Sequence, residues 1–271
     1  MIIPDLEGLA RNFWAGTGWH NTFPRQIEHV VPLKLPLVIV KQTQTNVAAA
    51  NNWLQQRGIV IPVPDDQHEL CGCLVAHRGH GFIFVSATDG AEEQRLTVAH
   101  EVAHFLADYL LPRQQVFQAL GAHMAEVLDG LRRPTPAERA AAILSHVRLG
   151  AHIHLLPRLG IDVEDDRTVV HAEDRADRLA LELVAPQACV RNVLEALLDR
   201  QVVTPDDLRA ALATYFGLPA YAFNEIIHRM VRRPLPSFVE DIRAGLWKQP
   251  ERKTSHSVKR SGHGTDPANH A

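Results

Sequence analysis

A chain of 271 residues is long enough to bury a catalytic core and carry additions without demanding two independent domains. Its formal charge of −3 gives no electrostatic basis for nucleic-acid binding by the whole chain. No apolar run reaches the roughly 18 residues of a membrane span, and Met1-Ile-Ile-Pro-Asp-Leu-Glu lacks the basic and apolar regions of a signal peptide, so the cytoplasm is the expected compartment and neither nucleic acid nor membrane an expected partner.

In chain order, residues 1–35 read as an N-terminal arm and 36–186 as one α+β domain. Asn46 to Arg57 has the pattern of a helix; Ile59 to Val63, Glu69 to Ala76 and Phe82 to Ala87 have the pattern of strands, with Arg78-Gly-His-Gly81 as a hairpin turn. The result is a small sheet whose edge could receive an extended peptide. Cys71 and Cys73 lie in one of these strands and Cys189 stands apart, which suits buried or half-buried thiols rather than a disulfide framework. Asp89-Gly-Ala-Glu92 has the form of a capping box, and Leu96, Ala99, Ala103, Leu106 and Leu110 then recur at helical steps until Pro112 ends the run.

Inside that helix lies His100-Glu101-Val-Ala-His104, an H-E-x-x-H motif. Residues four apart lie one above the other on a helix, so His100 and His104 can aim at one ion, while Glu101, about 100° round, can reach a water beside it without ligating the metal. With 16 histidines in the chain a chance match is easy, but Val98, Val102 and Phe105 flank the pair with residues that seek burial, and buried imidazoles and a carboxylate need partners. Asp108, four beyond His104, is a candidate carboxylate for orienting it.

A catalytic zinc takes three protein ligands and keeps one open position, so a third donor is required. The pattern H-E-x-x-H-x-x-G-x-x-H is excluded, because Ala107 and Leu110 stand where Gly and His would be. The next candidate lies in a helix ended by Pro186, where Glu173 and Asp177 share a face and Ala176 permits close approach of another helix. Glu173 as ligand and Asp177 as the carboxylate orienting a ligating imidazole meet the chemical demand; pairing with Arg175 and Arg178 on a solvated helix is the competing reading.

Between these segments, about 112–171 reads as a helical insertion, with helices at Arg113 to Leu131 and Pro136 to Leu149 and a start signal at Thr135-Pro-Ala-Glu138. It holds His123, His146, His152, His154 and His171. One of these, or Tyr109, could donate to a developing oxyanion, but no spacing chooses among them and each histidine is expected to be an ordinary surface or core residue. Beyond Pro186, residues 187–235 read as a helical module with helices at Val190 to Leu198, Pro205 to Phe216 and Ala220 to Arg232. Asp206, Asp207 and Glu225 oppose a DNA-reading role for its helix-turn-helix rhythm. Residues 248–271 have the composition of a disordered tail.

Taken together, Gly72 to Ser86, Gln94-Arg-Leu-Thr-Val-Ala-His-Glu-Val-Ala-His-Phe-Leu106 and Glu173-x-x-Ala-Asp-x-Leu-Ala-x-Glu-Leu-Val-Ala-Pro186 resemble the ImmA/IrrE family of gluzincin-like zinc metallo-endopeptidases. The resemblance implies a zincin-like core, with a small sheet backing the H-E-x-x-H helix. It also implies zinc bound by His100, His104 and Glu173, and Glu101 as general base. Many such proteins cleave a partner helix-turn-helix transcriptional repressor, in stress responses or mobile-element control, which makes such a repressor the expected protein substrate. A non-cleaving zinc-stabilised interaction module and a general cytoplasmic peptidase are the alternatives. Three departures stand out. Asp177 replaces the usual Asn, Ala185 replaces the usual Met, and the gap from His104 to Glu173, 173 − 104 = 69 residues, exceeds the short spacing of the family and bears on access to the cleft.

Overall fold

In a computed structural model of the chain, the described residues are 5–61, 68–144, 152–158, 167–198, 204–224 and 227. All fall within one compact unit, Met1–Ile227. The expected tail at 248–271, and parts of the elements expected at 59–63, 136–149 and 220–232, lie outside them.

The N-terminal arm supplies two helices, α1 (Leu6–Trp14) and α2 (Ile27–Lys34), which lead into strand β1 (Leu37–Gln42). Helix α3 (Val47–Gln55) is capped by Asn46, whose side chain accepts from the Ala49 amide at 2.8 Å. Strands β2 (Leu70–His77) and β3 (His80–Ser86) form the expected hairpin. Its two-residue turn places Arg78 at φ 51° and Gly79 at φ 81°, the left-handed pair that matches strand twist. Gly81 is paired within β3 instead of turning. Ile59 to Ile61, expected to begin a strand, is not in one.

The sheet has the order β1-β3-β2-β4, where β4 is His152–Pro157. β1 runs parallel to β3, and β2 is antiparallel to both β3 and β4. β4 corrects the expectation of a wholly helical insertion. The alternation His152-Ile-His-Leu155 presents apolar residues to one face and histidines to the other, and two-sidedness of that kind suits a half-buried strand. Ile153 and Leu155 join Val75, Cys73, Phe84, Leu54 and Trp53 in the apolar layer between sheet and α3.

The other face of the sheet receives helix α4 (Ala91–His104). Two glycines let it close in. A Cβ on Gly72 would stand 2.5 Å from Thr97 Cγ2 and 3.0 Å from Glu101 Oε1, and one on Gly81 would stand 3.0 Å from the Phe105 ring. The expected capping box does not form: Gly90 is the N-cap with no side-chain bond, and Asp89 instead takes the Arg158 guanidinium at 2.9 and 3.1 Å. A largely covered carboxylate has more to gain from a charged guanidinium than from one amide.

Pro112 does not end the helix. The chain passes through a π-helical stretch, Phe105–Leu110, into α5 (Leu111–Leu120), with Pro112 in the first turn of that new helix, where its missing N–H costs nothing. Gly121, at φ 95°, then separates α5 from α6 (Met124–Leu128), and α7 spans Pro136–Leu144. The start signal at α7 is realised: Thr135 Oγ1 accepts from the Glu138 amide at 3.3 Å and Glu138 Oε2 from the Thr135 amide at 2.8 Å. Helix α8 (Arg167–Val184) packs along α4 and against α1. Helices α9 (Gln187–Leu198) and α10 (Pro205–Phe216) follow, and Ala220–Phe223 forms a single 3-10 turn where a longer helix was expected. Among the described residues no helix is long and apolar enough to cross a membrane.

Candidate metal centre

His100 and His104 lie on the buried face of α4, 5% and 2% exposed, and Glu101 beside them is 0% exposed. Their Nε2 atoms are 3.1 Å apart. Glu173, on α8, points Oε2 at both, 3.4 Å from His100 Nε2 and 3.5 Å from His104 Nε2. Donors bound to one tetrahedral zinc at 2.0–2.2 Å are separated by about 3.3–3.6 Å, so this triangle fits such an ion closely. Helices α4 and α8 pack together, and the buried residues of each include small ones, Ala99 and Ala103 on α4 and Ala176 and Ala180 on α8.

Each imidazole is oriented by a carboxylate at its far nitrogen. His100 Nδ1 donates to Asp177 Oδ1 at 2.9 Å and His104 Nδ1 to Asp108 Oδ2 at 2.7 Å. With the proton held on Nδ1, both Nε2 lone pairs face the same point. At 3.1 Å these two nitrogens are close enough to share a proton or a cation between them. Asp108 is itself fixed by the Arg175 guanidinium. The π-helical stretch sets this up, because it begins directly after His104 and carries Asp108 within it.

The structure adds a residue that sequence reasoning set aside. His154, from β4, places Nδ1 2.9 Å from Glu101 Oε2 and Nε2 3.1 Å from Glu173 Oε1. Its ring stacks on His104, with centroids 3.7 Å apart and planes 23° from parallel. One signal pointed to it, the His-Ile-His-Leu alternation, which sends His154 to the same side of the sheet as α4. His100, His104, His154 and Glu173 together form a group of donors, all within 4.8 Å of one another, that could hold a metal ion.

The electrostatics follow from this packing. Burial works against the charged form of His100, but hydrogen bonds to Asp177 and Glu173 and the charge of Glu101 outweigh it and lift its pKa to about 9. Burial likewise opposes a charge on His154, and Glu101 and Glu173 lift it to about 10. Burial favours the neutral acid at Glu173 and at Glu101, yet the surrounding imidazoles hold both carboxyls below their ordinary values. Glu101 Oε1 is buried and takes no hydrogen bond from the described residues. A buried carboxylate oxygen in that condition is a site for a water or a ligand group.

The other candidates fall elsewhere. The Tyr109 hydroxyl accepts from the Gly79 amide at 2.7 Å and so supports the hairpin. His123 and His171 are exposed, His152 is buried beside Tyr109, and His146 lies outside the described residues. The three cysteines are free, Cys73 buried and the others half-buried, as their placement in the sequence led one to expect.

A mixed α/β chain with a small sheet, and with a helix-borne histidine pair completed by a glutamate from a second helix, has the parts of a metal-dependent hydrolase. Residues 55–144 match the peptidase family model described as the IrrE N-terminal-like domain, which supports the resemblance of this part of the chain to ImmA/IrrE proteins. The match takes in His100, Glu101, His104 and Asp108 and ends before His154 and Glu173. No curated protein and no solved structure matches the chain.

Proposed function

We propose that this protein is a zinc-dependent endopeptidase with a zincin-like core, in which His100, His104 and Glu173 hold the ion and Glu101 is the general base. The observation that carries the reading is the triangle of donors at 3.1, 3.4 and 3.5 Å, with a buried carboxylate immediately beside it. Zinc in that triangle supplies Lewis acidity toward a peptide carbonyl and toward water. Glu101 takes a proton from the attacking water on its unpartnered Oε1 and later delivers it to the departing amine. Asp177 and Asp108 keep the two imidazoles in the tautomer that leaves Nε2 free for the metal. β4 is the outermost strand on the side of the centre, so an extended peptide added to it runs past Glu101.

The substrate we propose is a helix-turn-helix transcriptional repressor, a reading supported by the resemblance to ImmA/IrrE proteins. A second reading is a zinc-stabilised module that binds such a repressor without cutting it. The complete burial of Glu101 favours it, because a base sealed from solvent must be uncovered before it can act.

The purified protein, loaded with zinc or treated with chelator, is incubated with the repressor encoded beside its gene. Zinc-dependent cutting at one site is expected. Glu101→Gln should retain stoichiometric zinc and lose cleavage by about 100-fold or more. Binding without cutting supports the second reading, and near wild-type turnover by the variant overturns the role of Glu101.

A further inference from the structure

We propose that His154 is a positioning residue, a clamp that keeps the third ligand on one oxygen and fixes the base beside it. The inference rests on the metallopeptidase reading of the same site. Each ring nitrogen of His154 faces a different carboxylate: Nδ1 meets Glu101 Oε2 at 2.9 Å and Nε2 meets Glu173 Oε1 at 3.1 Å. Glu173 is therefore divided between two tasks, with Oε2 directed at the ligand histidines and Oε1 directed at His154.

That division has a coordination consequence. A carboxylate whose second oxygen is hydrogen-bonded binds a metal through one atom, and a centre with two imidazoles and one such oxygen keeps a position open for the reacting groups. Without His154, Oε1 can turn toward the metal and occupy that position, and Glu101, deprived of the one hydrogen-bond donor it has among the described residues, can turn toward it as well.

His154 is not placed as a third imidazole ligand, although its nitrogens lie close enough to belong to the donor group. A metal is bound near the plane of a ligating ring. Rings stacked 3.7 Å apart and 23° from parallel do not share an in-plane point within bonding distance of both.

Nor is the contact a chance of a long side chain. His154 stands opposite Leu74 in the β2–β4 ladder, and the neighbouring pairs Ile153 with Val75 and Leu155 with Cys73 bury both flanking side chains against the α3 layer. The two-residue period of a strand then commits residue 154 to the α4 side. A register slip of one residue would put Ile153 or Leu155 among the carboxylates.

His154→Ala and His154→Gln are loaded with zinc for X-ray absorption and with cobalt(II) for visible spectroscopy, and their initial rates are measured on fluorescein-labelled casein. The wild-type centre is expected to show two imidazoles, and His154→Ala to keep two while its cobalt bands weaken as the coordination number rises above four. Its rate should fall about 10- to 100-fold, the range typical for groups that orient ligands. His154→Gln, which retains one donor nitrogen in place of two, should recover part of both signals. Three imidazoles in the wild type falling to two in His154→Ala would make His154 a ligand and overturn the proposal. A rate above wild type in His154→Ala would make it a plug and overturn it equally. A protein that takes up no zinc overturns the metallopeptidase reading and this one with it, whereas a two-imidazole centre indifferent to His154 overturns this one alone.

Discussion

The two carboxylates that orient the candidate ligand histidines are not equivalent. Asp108 is 13% exposed and held by both His104 and Arg175, while Asp177 is 66% exposed and has water as a competing partner for His100. Burial opposes a charge on Asp108, but His104 and Arg175 hold its carboxyl below the usual range. A hydrogen bond sheltered from solvent and anchored at its far end constrains its ring more tightly than an exposed one. Asp108→Asn is therefore expected to weaken zinc binding by about 10- to 100-fold, and Asp177→Asn by distinctly less. Competition against a chromophoric chelator measures both. Equal losses, or a larger loss at Asp177, would show that exposure does not rank these groups. Asp108 was readable in the sequence because residues four apart meet on an α-helix, and the contact with His104 survives although Asp108 lies in the π-helical stretch. Arg175 was read only as a surface pair for Glu173 and Asp177; nothing in the spacing announces that it crosses to a carboxylate 67 residues away.

At the scale of elements, α7 is pinned at its start by more than its capping box. The Arg132 guanidinium forms two bonds to the Glu138 carboxylate, at 2.9 and 2.7 Å, while Glu138 also takes the Thr135 amide. Arg132, and then the Thr135 amide, lower the Glu138 pKa from 4.5 to about 2. A carboxyl whose pKa is depressed on folding contributes stability that is present in full above its unfolded value and lost as pH falls toward the folded one. Glu138→Gln should accordingly melt below wild type at neutral pH, with the gap closing between about 4.5 and about 2. A gap that is constant across that acid range would remove the carboxylate charge from the explanation. Elements of this kind were legible because their signals are local: Thr135 with Glu138, Asn46 ahead of α3, Gly79 in the hairpin turn. β4 was not, because a six-residue strand enclosed by helical patterns gains its stability from the partner it finds in β2, a relation between residues about 80 positions apart that no local window contains. His154 was lost with it, since a histidine becomes a clamp only once the strand that carries it is placed.

On the scale of the whole molecule, the candidate centre joins α4 to α8, and α8 is in turn tied to the N-terminal arm. Trp14 Nε1 donates to the Leu183 carbonyl at 2.8 Å, and Arg25, buried against the Trp14 and Phe23 rings, donates to the same carbonyl at 2.7 Å and to Glu182 at 3.3 Å. These are last-turn carbonyls, which an α-helix cannot satisfy itself, so residues at the start of the chain complete the end of a helix about 160 positions later. Removing Arg25 leaves the Leu183 carbonyl with Trp14 as donor but takes a bond from it and from the part-buried Glu182 carbonyl, a loss of about 1 kcal/mol. Arg25→Met, which retains much of the side-chain bulk, should lower the melting temperature for that reason. Zinc, bound as proposed to the folded protein alone, would raise it, by about 2.7 kcal/mol of stability at one hundred times the dissociation constant. Whether the two effects interact depends on how stiffly α8 connects them. Leu183 lies ten residues from Glu173, about 15 Å along a helix whose buried face rests continuously on α4. Such a helix transmits little of a disturbance at its tip to a ligand three turns away. Arg25→Met is therefore expected to lower the melting temperature by similar amounts with zinc and with chelator, and to leave zinc affinity within about threefold of wild type, since sites more than about 7–10 Å apart with no shared partners usually behave additively. A zinc affinity that falls in step with stability would mean instead that α8 tilts as a unit when its end is released, and that the N-terminal arm helps set the position of the third ligand.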